Sequence, residues 1–186
     1  MKLLQVLSRL ILRLFGWTLI DIPHRPAKSV VIAYPHTSNW DFPLALLALG
    51  GLPFRARWVA KDTMFRWPFG GLLRLFGGVS VNRRERTGFV DLVVREFEAH
   101  DMFHLVIAAE GTRNRQEGWK SGFYRMAMAA KVPLVLAVVD YSRRELGLLA
   151  TIDLTGDETA DMLRIAEVYV GREGHRHHLA SPIRMM

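Results

Sequence analysis

The sequence predicts an α/β fold: a single domain with a mixed, largely parallel sheet flanked by helices, preceded by an N-terminal amphipathic helix. Three observations carry this. Short β-rich apolar runs, such as 30–34 (VVIAY) and 103–109, alternate with segments of helical periodicity, the pattern of a sheet whose crossovers are helices. The runs are apolar without alternation, as strands covered on both faces must be. The chain has 186 residues, 50% hydrophobic and 23% charged, enough for one such core and short for two.

Residues 1–20 form the first unit. Leu3, Leu7, Leu10, Leu14 and Trp17 recur at helical spacing, with Lys2, Gln5, Ser8, Arg9 and Arg13 on most of the remaining surface. Such a helix can lie in a lipid interface or pack on the domain behind it. Pro23 and Pro26 close the segment, and residues 21–186 form the domain proper. Strand 30–34 leads through HTSNWD into a helix at 44–49. A strand at 55–60 and a helix or helical hairpin at 64–76, interrupted around Pro68 and Gly70, follow. Then come a strand at 79–81, the basic patch Arg83, Arg84 and Arg86, and an amphipathic helix at 89–97. Strand 103–109, a polar loop at 110–118, helix 123–131, strands 132–140 and 148–154 and helix 160–170 complete the domain. The tail from 171 onward carries no clear pattern.

Composition narrows the function. Lys and Arg outnumber Asp and Glu by 25 to 18, giving a net charge of +7. A basic surface attracts nucleic acid, anionic lipid headgroups or a phosphorylated small molecule. The absence of cysteine excludes disulfides, zinc–thiolate sites and a cysteine nucleophile, and fits a reducing cytoplasm. No apolar run reaches the roughly 18 residues of a spanning helix; residues 42–54 are broken by Pro43, Gly50, Gly51 and Pro53. Arg9 and Arg13 interrupt the N-terminal run, and no small-residue cleavage site follows, so no signal peptide is expected.

Two motifs follow predicted strands, where open α/β sheets place their reactive groups. In residues 35–41 (PHTSNWD), His36 has a potential partner in Asp41, and a carboxylate fixes a histidine's tautomer and stabilises its imidazolium. On a straight helix that spacing would separate the side chains by about 140°. They can meet if His36 sits in the loop and Asp41 starts the next helix, capped by Ser38 or Asn39. The same residues also describe an ordinary turn rich in capping side chains. In Glu110, Gly111, Thr112 and Arg113 (EGTR), the arginine offers a donor fork matched to phosphate and the glycine allows close backbone approach. Arg83, behind a short strand, and Lys120, at a helix start, are further candidates for holding an anion. Each also suits a plain surface charge. There is no G-x-S-x-G elbow, P-loop or G-x-G-x-x-G, and His175, His177 and His178 read as a solvated tail, so no metal site is expected.

In order and together, these segments resemble the glycerolipid (lysophospholipid, or 1-acylglycerol-3-phosphate) acyltransferase superfamily, over residues 36–139. His36 to Asp41 matches its first block and Glu110 to Arg113 its third. The second, a glycine-led strand ending in arginine, matches loosely at Gly78 to Arg83, with Asn82 where an acidic residue is usual. Lys120-Ser121-Gly122 resembles the lysine-x-glycine downstream. The fourth keeps Pro133 but has Leu136 in place of its second proline. The chain looks like a compact, bacterial-type member.

The resemblance implies an enzyme that moves a fatty acyl group from acyl-CoA or acyl carrier protein to a hydroxyl of a lysophospholipid-like acceptor. His36 would be the general base, oriented by Asp41. Arg83 and Arg113 would hold an anionic group on the acceptor, and Glu110, Gly111, Thr112 and Lys120 would shape the site. No cofactor is needed beyond the thioester co-substrate. The expected place of work is cytoplasmic, peripheral on the inner face of the membrane. An acyl chain needs an apolar groove, and Trp40, Phe42, Phe65, Trp67 and Phe69 are nearby candidates for its walls. The alternative is a non-catalytic basic lipid-surface protein on the same fold. Nucleic acid is not expected, because the basic residues are scattered and follow no recognition motif.

Overall fold

The structure, a computed structural model, describes residues 2–53, 55–68, 70–81 and 88–186. Its sheet is organised around β2 (Lys28–Ala33), which is buried on both faces and pairs in parallel with β5 (Phe103–Ile107) and β6 (Leu134–Asp140). Outward from β5 lie β3 (Arg57–Lys61) and β4 (Gly78–Val81). Outward from β6 lie β7 (Glu145–Ile152) and β1 (Thr18–Ile20). The order β1-β7-β6-β2-β5-β3-β4 is parallel throughout except for the β6–β7 hairpin, so the expected mixed, largely parallel sheet is what forms.

The two-residue period of each strand divides its side chains between two cores. Val30, Ile32, Leu134 and Leu136 join the larger one, with residues from α4 (Phe89–Ala99), α5 (Gly122–Ala130) and α6 (Glu158–Val168). Val31, Val135 and Leu148 face the other side, as does Val139. There Ala48 and Leu49 of α2 (Asp41–Gly51) and Leu12 of α1 (Lys2–Leu14) cover the sheet. Burial on both sides accounts for the unbroken apolar runs in the sequence.

The strand β1 is absent from the sequence-based reading, which carries the first helix to residue 20. α1 stops at Leu14 because Gly16 adopts φ 73°. The Gly16 N–H then donates to Arg13 O at 3.0 Å and the Trp17 N–H to Leu12 O at 2.8 Å, a Schellman close. Two residues after Gly16 the chain enters the sheet as β1, too short a strand to give a periodic signal. The segment at 64–76 resolves into a 3₁₀ turn, Asp62–Phe65, and the short α3 (Gly70–Leu75). Arg83 lies outside the described residues.

α1 meets the fold by an edge the leucine periodicity does not mark. Ser8 and Leu12 are its buried residues, and a Cβ on Gly50 would stand 2.5 Å from Ser8 Oγ, so the two helices cross closely. Arg9 Nε donates to Gly51 O at 2.8 Å. The ridge of Leu3, Leu7, Leu10 and Leu14 faces away from the domain, between 50% and 81% exposed. Among the described residues no helix is long and apolar enough to cross a membrane.

Candidate active site

Because β2 and β5 are parallel neighbours in register, Ile32 opposite Ile107, their following loops emerge side by side at one sheet edge. HTSNWD and EGTR, 74 positions apart, are thereby joined: the His36 backbone N–H donates to Glu110 Oε2 at 2.7 Å. Arg113 Nε donates to Ser38 O at 3.2 Å, a second tie between the loops.

The chain bends between His36 and Asp41 as their spacing required. His36 Nδ1 stands 3.3 Å from Asp41 Oδ2. Asp41 is the first residue of α2, and its Oδ2 also accepts the Thr37 and Ser38 N–H groups, both at 2.8 Å. It therefore closes the loop upon itself. The expected cap by Ser38 or Asn39 does not form: Trp40 holds the cap position without a side-chain cap, and Ser38 Oγ accepts from the Trp40 N–H instead. Burial by itself pushes the Asp41 carboxyl up. Hydrogen bonds from His36, the Ser38 N–H and Tyr141 outweigh this and hold it below the usual carboxylate range.

Glu110 shows the opposite balance. It is 0% exposed, and burial raises its carboxyl above the ordinary range even though the Ser181 and His36 N–H groups donate to it. Gly111 takes φ 67°, which glycine tolerates best, and the stem and ammonium of Lys120 lie over it, 3.2 Å from where a Cβ would be. Lys120 is exposed and lies outside the cleft lining, whereas Gly111, Thr112 and Arg113 line it.

The cleft measures about 450 Å³. His36, Asp41, Thr112 and Arg113 form its polar part, and Phe42, Leu46, Leu49, Trp58, Val59 and Val106 make it apolar along α2 and the sheet. Of the aromatic candidates, Phe42 lines it, with its ring edge-on to Trp58 at 4.8 Å. Phe65 is buried behind, stacked on Trp58, while Trp40 and Trp67 are exposed and Phe69 lies outside the described residues. Trp58 itself, inside a predicted strand, went unmarked.

Two further contributors escape the sequence. Tyr141, immediately after β6, donates its hydroxyl to Asp41 Oδ1 at 2.9 Å, and burial plus that carboxylate push its phenol well up. The rule that pointed to the two motifs also covers Tyr141, since β6 is parallel to β2. The tail had no such signal, yet it packs along the site. The Arg176 N–H donates to Thr37 Oγ1 at 3.2 Å and the Ser181 N–H to Glu110 Oε1 at 2.8 Å. His175 packs edge-on to Tyr141, and among the described residues no cluster of three or more metal-ligating side chains occurs.

The fold is thus an α/β sheet whose strand-end loops bring a His–Asp pair to the mouth of a largely apolar cleft. The sequence model of the acyltransferase family matches residues 19–139, well over half of the chain, and the protein belongs to that family. Among solved structures, the 1-acyl-sn-glycerophosphate (LPA) acyltransferase PlsC from Thermotoga maritima is similar, with a TM-score of 0.59. The match is 17% identical in sequence and covers 91% of this chain and 76% of that one. At that identity the likeness is one of fold. No curated protein matches the sequence significantly.

Proposed function

We propose that the protein transfers a fatty acyl chain from acyl-CoA or an acyl carrier protein thioester to a hydroxyl of a lysophospholipid-like acceptor. The observation that carries this is the 3.3 Å His36–Asp41 pair at the polar end of the apolar cleft. With its Nδ1–H given to Asp41, His36 carries a lone pair on Nε2 and takes the acceptor's hydroxyl proton. The oxygen attacks the thioester carbonyl, the tetrahedral intermediate collapses, the C–S bond breaks, and the proton returns to the departing sulfur. No acyl-enzyme is required, in keeping with a chain that has neither cysteine nor a serine elbow. Arg113, and Arg83 by resemblance, hold the acceptor's anionic group. Glu110, Gly111, Thr112 and Lys120 maintain the loop around it. The fold likeness to an LPA acyltransferase supports a phosphorylated lysolipid as the acceptor class.

The same reading has the protein working peripherally at the cytoplasmic face of the membrane. The outward leucine ridge of α1, with Lys2 and Arg13 exposed on the same helix, suits an anionic lipid surface from which the acceptor is drawn.

The test is thiol release from acyl-CoA and acyl carrier protein thioesters with lysophosphatidic acid and other lysolipids, comparing wild type with His36→Ala. General-base catalysis typically contributes about 10²–10⁴-fold, so the variant should lose about that much turnover with its thermal unfolding unchanged. Acceptor-dependent release that persists in a folded His36→Ala protein would remove the assignment. Vesicle binding without any transfer in wild type would favour the lipid-surface alternative.

A further inference from the structure

The family match ends at Val139, and the hydroxyl that completes the Asp41 carboxylate comes from beyond it. We infer that Tyr141 is a positioning residue for acyl transfer, fixing the Asp41 carboxylate in the orientation that presents Oδ2 to His36. The inference rests on the reading of His36 and Asp41 as the reacting pair.

A carboxylate has two oxygens, and its terminal torsion is broad and nearly two-fold, so rotation readily exchanges them. In Asp41 the oxygens are loaded unequally. Oδ2 takes two backbone N–H groups and faces His36 Nδ1, while Oδ1 receives the Tyr141 hydroxyl at 2.9 Å. Asp41 is 4% exposed, so water is a poor substitute for that donor.

The phenol is itself held in place. Its ring lies edge-on to Trp17 on one side, at 5.1 Å, and edge-on to His175 on another, at 4.9 Å. Its backbone N–H donates to Glu173 O at 2.9 Å. Trp17 follows α1, and Glu173 and His175 belong to the tail, so two distant segments hold the residue whose hydroxyl donates to Asp41. A ring needed only to fill space would be served as well by phenylalanine.

Tyr141→Phe isolates the hydroxyl, because the ring can remain between Trp17 and His175. The ionisable groups facing the pair are Glu110 through the His36 N–H, Arg113 through Ser38 O, and His175 against the Tyr141 ring. None of them is altered by the substitution. With Oδ1 short of its donor, the Asp41 carboxylate is free to turn, and His36 Nδ1 loses a fixed acceptor for its proton. Long-range ¹H–¹⁵N spectra of the histidine rings, with His36 identified by its loss in His36→Ala, read this without any substrate. The expected result in Tyr141→Phe is a neutral His36 no longer confined to the Nδ1–H tautomer. In the acyl-CoA and lysophosphatidic acid assay, kcat should fall on the order of tenfold, the size expected for one hydrogen bond to a charged group. KM should hold within a factor of two.

An unchanged His36 tautomer in folded Tyr141→Phe would overturn the inference, as would a loss confined to thermal stability or KM. Activity surviving in His36→Ala would instead remove the underlying pair, whatever Tyr141→Phe does.

Discussion

Ser181, five residues before Met186, donates its backbone N–H to the side chain of Glu110, the first residue of EGTR, at 2.8 Å. The other oxygen of the same carboxylate accepts the His36 N–H. A single buried side chain thus pins the tail on one side and the HTSNWD loop on the other.

Glu110→Gln should therefore be costly despite its near-identical shape. One of the two N–H donors would face an amide NH₂, which accepts nothing, leaving a buried group unsatisfied at about 1–3 kcal/mol. Denaturant unfolding should show a lower midpoint, and turnover should fall with it because the His36 backbone loses its anchor. An unchanged midpoint would show that the carboxylate does not brace the loop.

The loss of stability on acidification should depend on a histidine far from the cleft. His104 on β5 is buried beside Ser29, whose Oγ lies 2.8 Å from its Nδ1. Burial, with the nearby Arg25 charge, lowers its titration to about 4. A free histidine takes its proton near 6.5. Between those values the unfolded chain binds a proton that the folded one refuses, so stability contributed by neutral His104 is present above about 6.5 and is lost as pH falls toward 4. Thermal unfolding of His104→Gln followed over this range should fall less steeply than wild type. Parallel curves would disprove the assignment.

The outward ridge of α1 predicts a separation of binding from folding. Leu7 and Leu10 are 50% and 62% exposed, and replacing both with glutamate leaves the Ser8–Gly50 contact untouched. The melting temperature should change little, while co-sedimentation with vesicles containing phosphatidylglycerol should weaken at least tenfold, given roughly 0.8 kcal/mol per buried methylene. Undiminished sedimentation would place the lipid contact elsewhere.

Gly147 on β7 should not tolerate alanine. Its φ is 135°, and a Cβ there would lie 1.9 Å from Ile20 O, inside the β1–β7 pairing. Strain and clash together should destabilise by about 2–4 kcal/mol. Limited proteolysis should then cut first around 16–24, where β1 is released; a wild-type cleavage pattern would argue against this.

Much of the layout was legible in the chain because it rests on local patterns. β2, β5 and β6 are long enough, and buried enough on both faces, to announce themselves as apolar runs, and α4 by its amphipathic spacing. The two motifs were found by residue type and by their place after strands. β1, with three residues, is too short for either period to register, whereas α3, with six, falls within the helix or helical hairpin expected at 64–76. The side of α1 that meets the domain was invisible for another reason. Leucine spacing marks an apolar face, but close approach to Gly50 and Gly51 selects the small Ser8.

What the sequence determined by itself was the kind of fold and the identity of the reacting pair's candidates, because strand burial, helix period and motif chemistry are properties of neighbouring residues. Tertiary structure alone decided which partners complete that pair. Tyr141 reaches Asp41 across 100 positions and Ser181 reaches Glu110 across 71, each by one hydrogen bond. Such bonds depend on where the sheet order and the returning tail bring atoms within about 3 Å, and no local pattern in the chain encodes that distance.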